Sequence, residues 1–267
     1  MKQLSARFPI WLCDVWGVAH DGRKPIPHAV DALIQHRRAG GKVVFITNAP
    51  TPKLNVQAFI DKIGVPREAY DDMVTSGDVT RELMVELGDH GLYHLGPPED
   101  LPIFKGLEVK RVPLEQAGAV LCTGFIDEVA RAGMKIDHAL LEQFLSRGLT
   151  MICANPDKVV SIGGVLIPCA GAIAEVYGQM GGRVMMAGKP FAPIYDVALK
   201  HAGHPDHIKV LAIGDGPDTD VKGAMQNNLP CVFVSGGINK GADPEAEVRA
   251  RYPDARIMKV MPELYWT

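Results

Sequence analysis

Two acidic runs, each set directly behind an apolar stretch of strand length, constrain this chain more than any other feature: Cys13-Asp14-Val15-Trp16-Gly17 and Ile213-Gly214-Asp215-Gly216-Pro217-Asp218-Thr219-Asp220. Strands of a parallel sheet all end on one edge, so Asp14 and Asp215 can meet in the crevice where open α/β folds bind ligands. Carboxylates brought together need a cation. Hard oxygen donors beside a phosphate favour magnesium, which keeps several waters and takes only one or two protein carboxylates. The two runs therefore point to a magnesium-dependent phosphoryl site at the edge of an α/β sheet.

The pattern around the runs fits such a sheet. From Pro27, the residues Val30, Leu33, Ile34 and Arg37 recur at helical spacing up to Gly40-Gly41. Residues 42–47 follow as a continuous β-rich run, and a βαβ unit with a buried parallel sheet is the natural assembly. Thr51-Pro52 reads as an N-cap with proline at the first helical position, ahead of Val56, Phe59, Ile60 and Ile63 on one face. Residues 73–75 make a third strand. Beyond about Gly88 the rhythm loosens through Gly96-Pro97-Pro98 and Glu99-Asp100, with strands at 119–122 and 151–153 and a helix over 137–145 that Asp137 caps and Gly148 follows. Regular alternation resumes with strands at 184–187, 209–213 and 230–234 and helices over 191–201 and from Asp220. The expected architecture is a doubly wound, Rossmann-like parallel-sheet α/β core of residues 1–77 and 183–267, with an inserted α/β domain at 78–182.

Composition excludes several classes. A hydrophobic fraction of 47%, 22% charged residues and a formal charge of −3 describe an ordinary globular chain. Lys and Arg are scattered without a basic run, so the footprint of a nucleic-acid binder is absent. No apolar stretch approaches the roughly 20 residues of a membrane helix, and the first residues show no secretory pattern. Cys13, Cys122, Cys153, Cys169 and Cys231 contain no C-x-x-C and sit mostly in apolar runs, as buried thiols of a reducing compartment do. The expectation is a cytoplasmic protein with neither nucleic-acid nor membrane partners.

The polar residues at the strand ends carry the chemistry. An aspartate has an unperturbed pKa of ~3.9, so Asp14 is ionised near neutral pH and can attack phosphorus without a base, forming an aspartyl-phosphate. Thr47 and Asn48 end the second strand, where a hydroxyl and an amide can bind the other phosphate oxygens; turn chemistry is their alternative reading. Lys189, in Gly188-Lys189-Pro190, can offset a phosphoryl group crowded by two aspartates, or be a surface lysine. Asp215, Asp218 and Asp220 lie near a helix start that favours acids, and Asp218 is assigned to capping. His201, His204 and His207 are evenly spaced, but Gly203 and Pro205 break any helix that could align them on a metal. Gly214-x-Gly216 lacks the third glycine of a dinucleotide fingerprint.

Taken in order, Asp14-Val15-Trp16-Gly17-Val18, Ile46-Thr47-Asn48, Gly188-Lys189-Pro190 and Gly214-Asp215-x-x-x-x-Asp220 resemble the four motifs of the haloacid dehalogenase superfamily of phosphatases. Within the insert, Ala154-Asn155-Pro156-Asp157, Gly163-Gly164 and Cys169-Ala170-Gly171-Ala172 resemble the cap of its class IIA branch. The resemblance implies Mg2+ held by Asp14, the backbone carbonyl at Trp16 and Asp215, with Asp14 as nucleophile. It implies that Thr47 holds the phosphate, that Lys189 neutralises it, and that Asp220 binds metal waters or orients the lysine. The cap then selects a small phosphorylated substrate and, as related caps often mediate dimers, a homodimer is expected.

The departure is Trp16. Active members usually carry aspartate there, as the acid that protonates the leaving oxygen and later activates water, and indole can do neither. His20 and Asp21, on the loop just beyond, are candidates to replace it, ordinary loop residues being the alternative. Two functions follow: a phosphatase restricted to leaving groups that depart unprotonated, such as acyl or aryl phosphates, or a low-activity or inactive phosphate-ligand-binding protein on the same fold.

Overall fold

A computed structural model describes residues 1–87, 90–162, 165–236 and 243–267; the Gly163-Gly164 pair lies outside the described residues. The chain divides into two compact units, one of Met1–Thr47, Leu54–Val74 and Lys189–Thr267, the other of Asn48–Lys53 and Thr75–Gly188. It begins with β1 (Ile10–Cys13), β2 (Lys42–Thr47) and β3 (Asp72–Thr75). The second unit contributes β4 (Leu92–Leu95), β5 (Ala119–Cys122), β6 (Thr150–Cys153), β7 (Val159–Ile162), β8 (Val165–Pro168) and β9 (Val184–Met186). The first unit resumes with β10 (Val210–Gly214), β11 (Cys231–Val234) and β12 (Ile257–Met261).

In the first unit the sheet runs in the order β12-β11-β10-β1-β2-β3. Its central strands are nearly continuous apolar runs, as a parallel sheet covered on both faces requires: Trp11, Leu12, Cys13, Val43, Val44 and Phe45 are all fully buried. Strand β1 pairs in parallel with both β10 and β2, and the register sets Cys13 level with Ile213 and with Phe45. Whatever follows β1, β2 and β10 therefore leaves on one edge. The helix Pro27–Arg38 takes proline in its first turn and buries Ala29, Val30, Ala32 and Leu33, and Gly40 beyond it adopts a φ of +90°, the usual glycine stop. The next helix, Lys53–Lys62, buries Val56 and Ile60. Phe59, expected on that same buried face, is 39% exposed.

The second unit has its own parallel sheet, β4-β5-β6-β9, and an antiparallel β7-β8 hairpin. Its core gathers Val120, Leu141, Phe144, Met151, Ile173 and Tyr177. The helix His138–Ser146 starts where the sequence places it, with the Asp137 carboxylate accepting the Leu140 N–H at 3.0 Å. Residues 184–186 pair with β6 and not with the first sheet, so the first unit resumes at Lys189. A three-residue apolar strand carries no mark of the sheet it will join. Among the described residues no helix is long and apolar enough to cross a membrane. All five cysteines are buried thiols.

One buried group ties this fold to pH. His36 is fully buried, stacked on Trp11 at 3.8 Å between ring centroids, with Nδ1 2.7 Å from Ser5 Oγ. Burial pushes its pKa down to about 4. An unfolded histidine titrates near ~6.5, so below that pH the unfolded chain takes a proton that the folded chain refuses. The stability contribution is complete above pH ~6.5 and is lost toward pH ~4, by at most about 1.4 kcal/mol per pH unit. Urea denaturation at pH 7 and pH 5 is expected to show the loss, with a shallower dependence in His36→Gln. An unchanged pH dependence in the variant would remove His36 from the account.

Candidate active site

The ladder runs directly into the acidic cluster. The Asp14 N–H still donates to the Ile213 carbonyl at 2.8 Å, and Asp14 and Asp215 follow β1 and β10 as buried carboxylates. After Gly216 the chain makes a π-helical turn, Pro217–Val221, which brings Asp220 inward, its Oδ2 accepting the Gly216 N–H at 3.1 Å. Asp218 does not cap this turn: its carboxylate faces outward, 2.6 Å from the Arg251 guanidinium and bonded to the Tyr252 hydroxyl. Lys189 is 2% exposed, so the surface reading is excluded, and its Nζ donates to Asp14 Oδ1 at 2.6 Å and to Asp220 Oδ1 at 2.8 Å.

Two glycines make this crowding feasible. Gly17 has a φ of +80°, and a Cβ there would lie 2.0 Å from Asp215 Oδ2. At Gly214 a Cβ would lie 2.0 Å from Asp220 Cγ. Gly17→Ala therefore meets both an unfavourable backbone and a carboxylate that cannot retreat without leaving the cluster. A loss of about 1–3 kcal/mol in urea unfolding is expected; an unchanged midpoint would show that the loop relaxes freely.

Three buried carboxylates face one ammonium. Burial, then the charges of Asp14 and Asp220, push Asp215 well above the usual carboxylate range. Burial also lifts Asp220, to about 6, against the pull of Lys189. For Lys189, burial alone would lower the pKa, but the Asp14 and Asp220 carboxylates outweigh it and hold the ammonium well above its ordinary value. One oxygen from each of Asp14, Asp215 and Asp220 can be chosen so that all lie within 4.8 Å of one another. Uncompensated buried charge is costly, and an all-oxygen carboxylate donor set suits a hard divalent cation. The residues present fit such an ion.

The other residues singled out by sequence divide. Thr47 is buried at the end of β2. Asn48 belongs to the second unit, where its Nδ2 donates to Asp157 Oδ1 at 2.9 Å and Asn155 Oδ1 accepts the Asp157 N–H at 3.0 Å. Trp16 is half-buried, stacked parallel to Phe59 (centroids 6.5 Å apart) and edge-on to His20 at 5.2 Å. His20 Nδ1 accepts the Gly22 N–H at 2.9 Å, and burial lowers its pKa to about 4, so it is neutral near pH 7. Asp21 is exposed and accepts the Arg23 and Lys24 N–H groups, both at 2.9 Å, which pulls its pKa down. His201 pairs with Asp72 at 2.7 Å, and His204 has a φ of +54°. Neither histidine belongs to a metal-ligating group among the described residues. The partners of Trp16 went unforeseen, since nothing in helical spacing alone says that Phe59 turns away from its helix's buried face.

The edge of a parallel α/β sheet thus gathers three buried aspartates around one buried lysine, a donor set suited to a hard cation. Comparison with known proteins narrows this. The family profile described as haloacid dehalogenase-like hydrolase matches residues 11–110, and a second, HAD-hydrolase-like profile matches residues 186–261. A haloacid dehalogenase-like hydrolase from Brucella suis is 40% identical over 99% of this chain and 98% of its own, with a TM-score of 0.87. The chain belongs to the haloacid dehalogenase-like hydrolase family. A 4-nitrophenylphosphatase from Schizosaccharomyces pombe is 23% identical across 90% of this chain and 87% of its own. A glycerol phosphate phosphatase from Mycobacterium tuberculosis, solved in complex with calcium, is 22% identical over 98% of this chain and 75% of its own, with a TM-score of 0.73.

Proposed function

We propose that the protein is a magnesium-dependent phosphatase of a small phosphorylated metabolite, working through an aspartyl-phosphate. The observation that carries this reading is the buried Lys189 bridging Asp14 and Asp220 beside Asp215. The lysine holds Asp14 by Oδ1, which fixes the carboxylate while its second oxygen attacks phosphorus. The P–O bond to the leaving group breaks as the new O–P bond forms, and the leaving oxygen carries the electron pair away. Water then attacks the phosphorus of the aspartyl-phosphate, the O–P bond to Asp14 breaks with its electron pair staying on the Asp14 carboxylate, and both water protons leave on the dihydrogen phosphate released. Thr47 donates its hydroxyl to a non-reacting phosphoryl oxygen, and Asp220 orients Lys189. Asp14, Asp215 and the Trp16 carbonyl would hold Mg2+, which supplies positive charge to the phosphoryl oxygens when bound. Asn48 donates to Asp157 Oδ1 within the second unit.

Of the two candidates beyond Trp16, neither is set up to donate a proton near neutral pH. His20 is neutral with Nδ1 engaged, and Asp21 is an ionised turn residue. Leaving groups that depart as stable anions are therefore favoured. The same observation supports the second reading, a protein that binds a phosphorylated ligand and turns it over poorly.

A screen of phosphorylated metabolites with magnesium separates the two. Turnover of at least one acyl or aryl phosphate is expected, abolished by a chelator and restored by added Mg2+. Binding without turnover across the panel would favour the second reading, and turnover that survives chelation would overturn the metal assignment.

A further inference from the structure

Where the family's proton donor would stand, this chain has a half-buried indole packed against a partly exposed phenyl ring, on a loop whose next residue, Gly17, packs on Asp215. We propose that Trp16 and Phe59 form a shelf that binds a planar aromatic group carried by the phosphorylated ligand, making ring recognition the specificity of this site. The inference rests on the phosphate-site reading above and adds the class of ligand.

Four observations carry it. Trp16 lies two residues after Asp14, and the residue after it, Gly17, is packed so closely on Asp215 that a Cβ would stand 2.0 Å from its Oδ2. The indole is thus rooted in the loop that lines the cluster. Its orientation is set from behind: His20, 2% exposed, meets the Trp16 ring edge-on at 5.2 Å and the Phe59 ring edge-on at 5.8 Å. Gly22, with a φ of +90°, leaves space that any Cβ would take from the indole, 2.5 Å from Trp16 Cζ2. Finally, the Trp16 and Phe59 planes are parallel to within 4°, and Phe59 remains 39% exposed although its helix neighbours Val56 and Ile60 are buried.

Two parallel rings, both edge-on to a buried histidine and one of them 39% exposed, form the shelf on which a third ring would stack. Stacking of this kind strengthens binding by about two- to tenfold per aromatic partner. The chemistry agrees with it. A site without a proton donor works best on leaving groups that stabilise their own negative charge, and aryl oxyanions do so through the same planar π-system that stacks. A phosphate ester of an alkyl alcohol has neither property.

Binding of non-hydrolysable probes tests the shelf independently of turnover. In calorimetry with magnesium present, phenylphosphonate is expected to bind about tenfold more tightly than methylphosphonate. That preference is expected to persist in Phe59→Tyr, which keeps a ring, and to fall to about twofold in Phe59→Leu, which keeps apolar bulk. Equal affinities for the two probes in the unmodified protein, or a preference that survives Phe59→Leu intact, overturn the shelf and leave the phosphate site standing. Failure to bind either probe overturns the phosphate-site reading and the shelf with it.

Discussion

Replacing Asp14 by asparagine is expected to lower phosphate-ester turnover on the order of 10⁴-fold or more, the scale associated with removing a nucleophile, while leaving the fold intact. Asparagine has nearly the same volume, and its carbonyl oxygen can still accept from Lys189 Nζ, which sits 2.6 Å from Asp14 Oδ1. Lys189 also keeps its second partner, Asp220, at 2.8 Å. What disappears is the anionic oxygen that forms the aspartyl-phosphate and one negative charge from a cluster in which three buried carboxylates face one ammonium. The metal-free variant is therefore expected to unfold at a temperature no lower than the parent. Steady-state rates on an acyl phosphate, with thermal melts in chelator, measure both effects. Residual turnover within tenfold of the parent would falsify the nucleophile assignment. A sharp fall in melting temperature would instead show that Asp14 is needed to satisfy Lys189.

Much of this site is legible from sequence because its logic is local. Parallel strands must end on one edge, and a carboxylate directly after an apolar run must face that edge, so Asp14 and Asp215 converge without any knowledge of the intervening chain. Lys189 follows from charge: an ammonium within a motif between two acidic strand ends has an electrostatic reason to turn inward. Asp218 and Asp220 are told apart in the sequence by the motif resemblance, and the structure supplies the physical reason: a π-helical turn follows Gly216, with Asp220 buried and Asp218 turned outward to Arg251.

The parts that sequence did not resolve depend on long-range pairing. Asn48 reads as a phosphate ligand from its place after β2, and its amide also donates to Asp157, more than a hundred residues on, a partner that no local pattern announces. Strand β9 looks like a return to the first sheet, but its three residues pair with β6. Phe59 follows helical periodicity toward the core but is 39% exposed and stacked on Trp16. In each case the deciding contact is with a distant partner, and the close packing of Gly17 and Gly214 on the carboxylates of Asp215 and Asp220 is likewise visible only in the structure.

Trp16→Asp is expected to raise the rate at which an alkyl phosphate forms the aspartyl-phosphate by about 10²-fold, within the 10²–10⁴ range that a positioned proton donor supplies, with a much smaller gain in that step for an acyl phosphate. The reason lies in the leaving group. An alkoxide departing from phosphorus needs a proton as the P–O bond breaks, whereas an acyl leaving group departs as a stable carboxylate. The gain is placed at the low end because the loop is built around indole: Gly22 packs on Cζ2, while His20 and Phe59 contact the ring. Aspartate in that space leaves a cavity and an imperfectly held carboxyl. A stability loss of about 1–3 kcal/mol is expected from the vacated packing, so rates belong at a temperature well below the variant's transition. The ratio of alkyl to acyl rates in that first step, read from single-turnover release of the leaving group, is the decisive quantity, since a general loss of structure lowers both together, water activation acts only on the intermediate they share, and a restored proton donor moves only one. A ratio unchanged from the parent would mean that protonation of the leaving oxygen was never what limits this site, and the argument from Trp16 to leaving-group preference would fail with it.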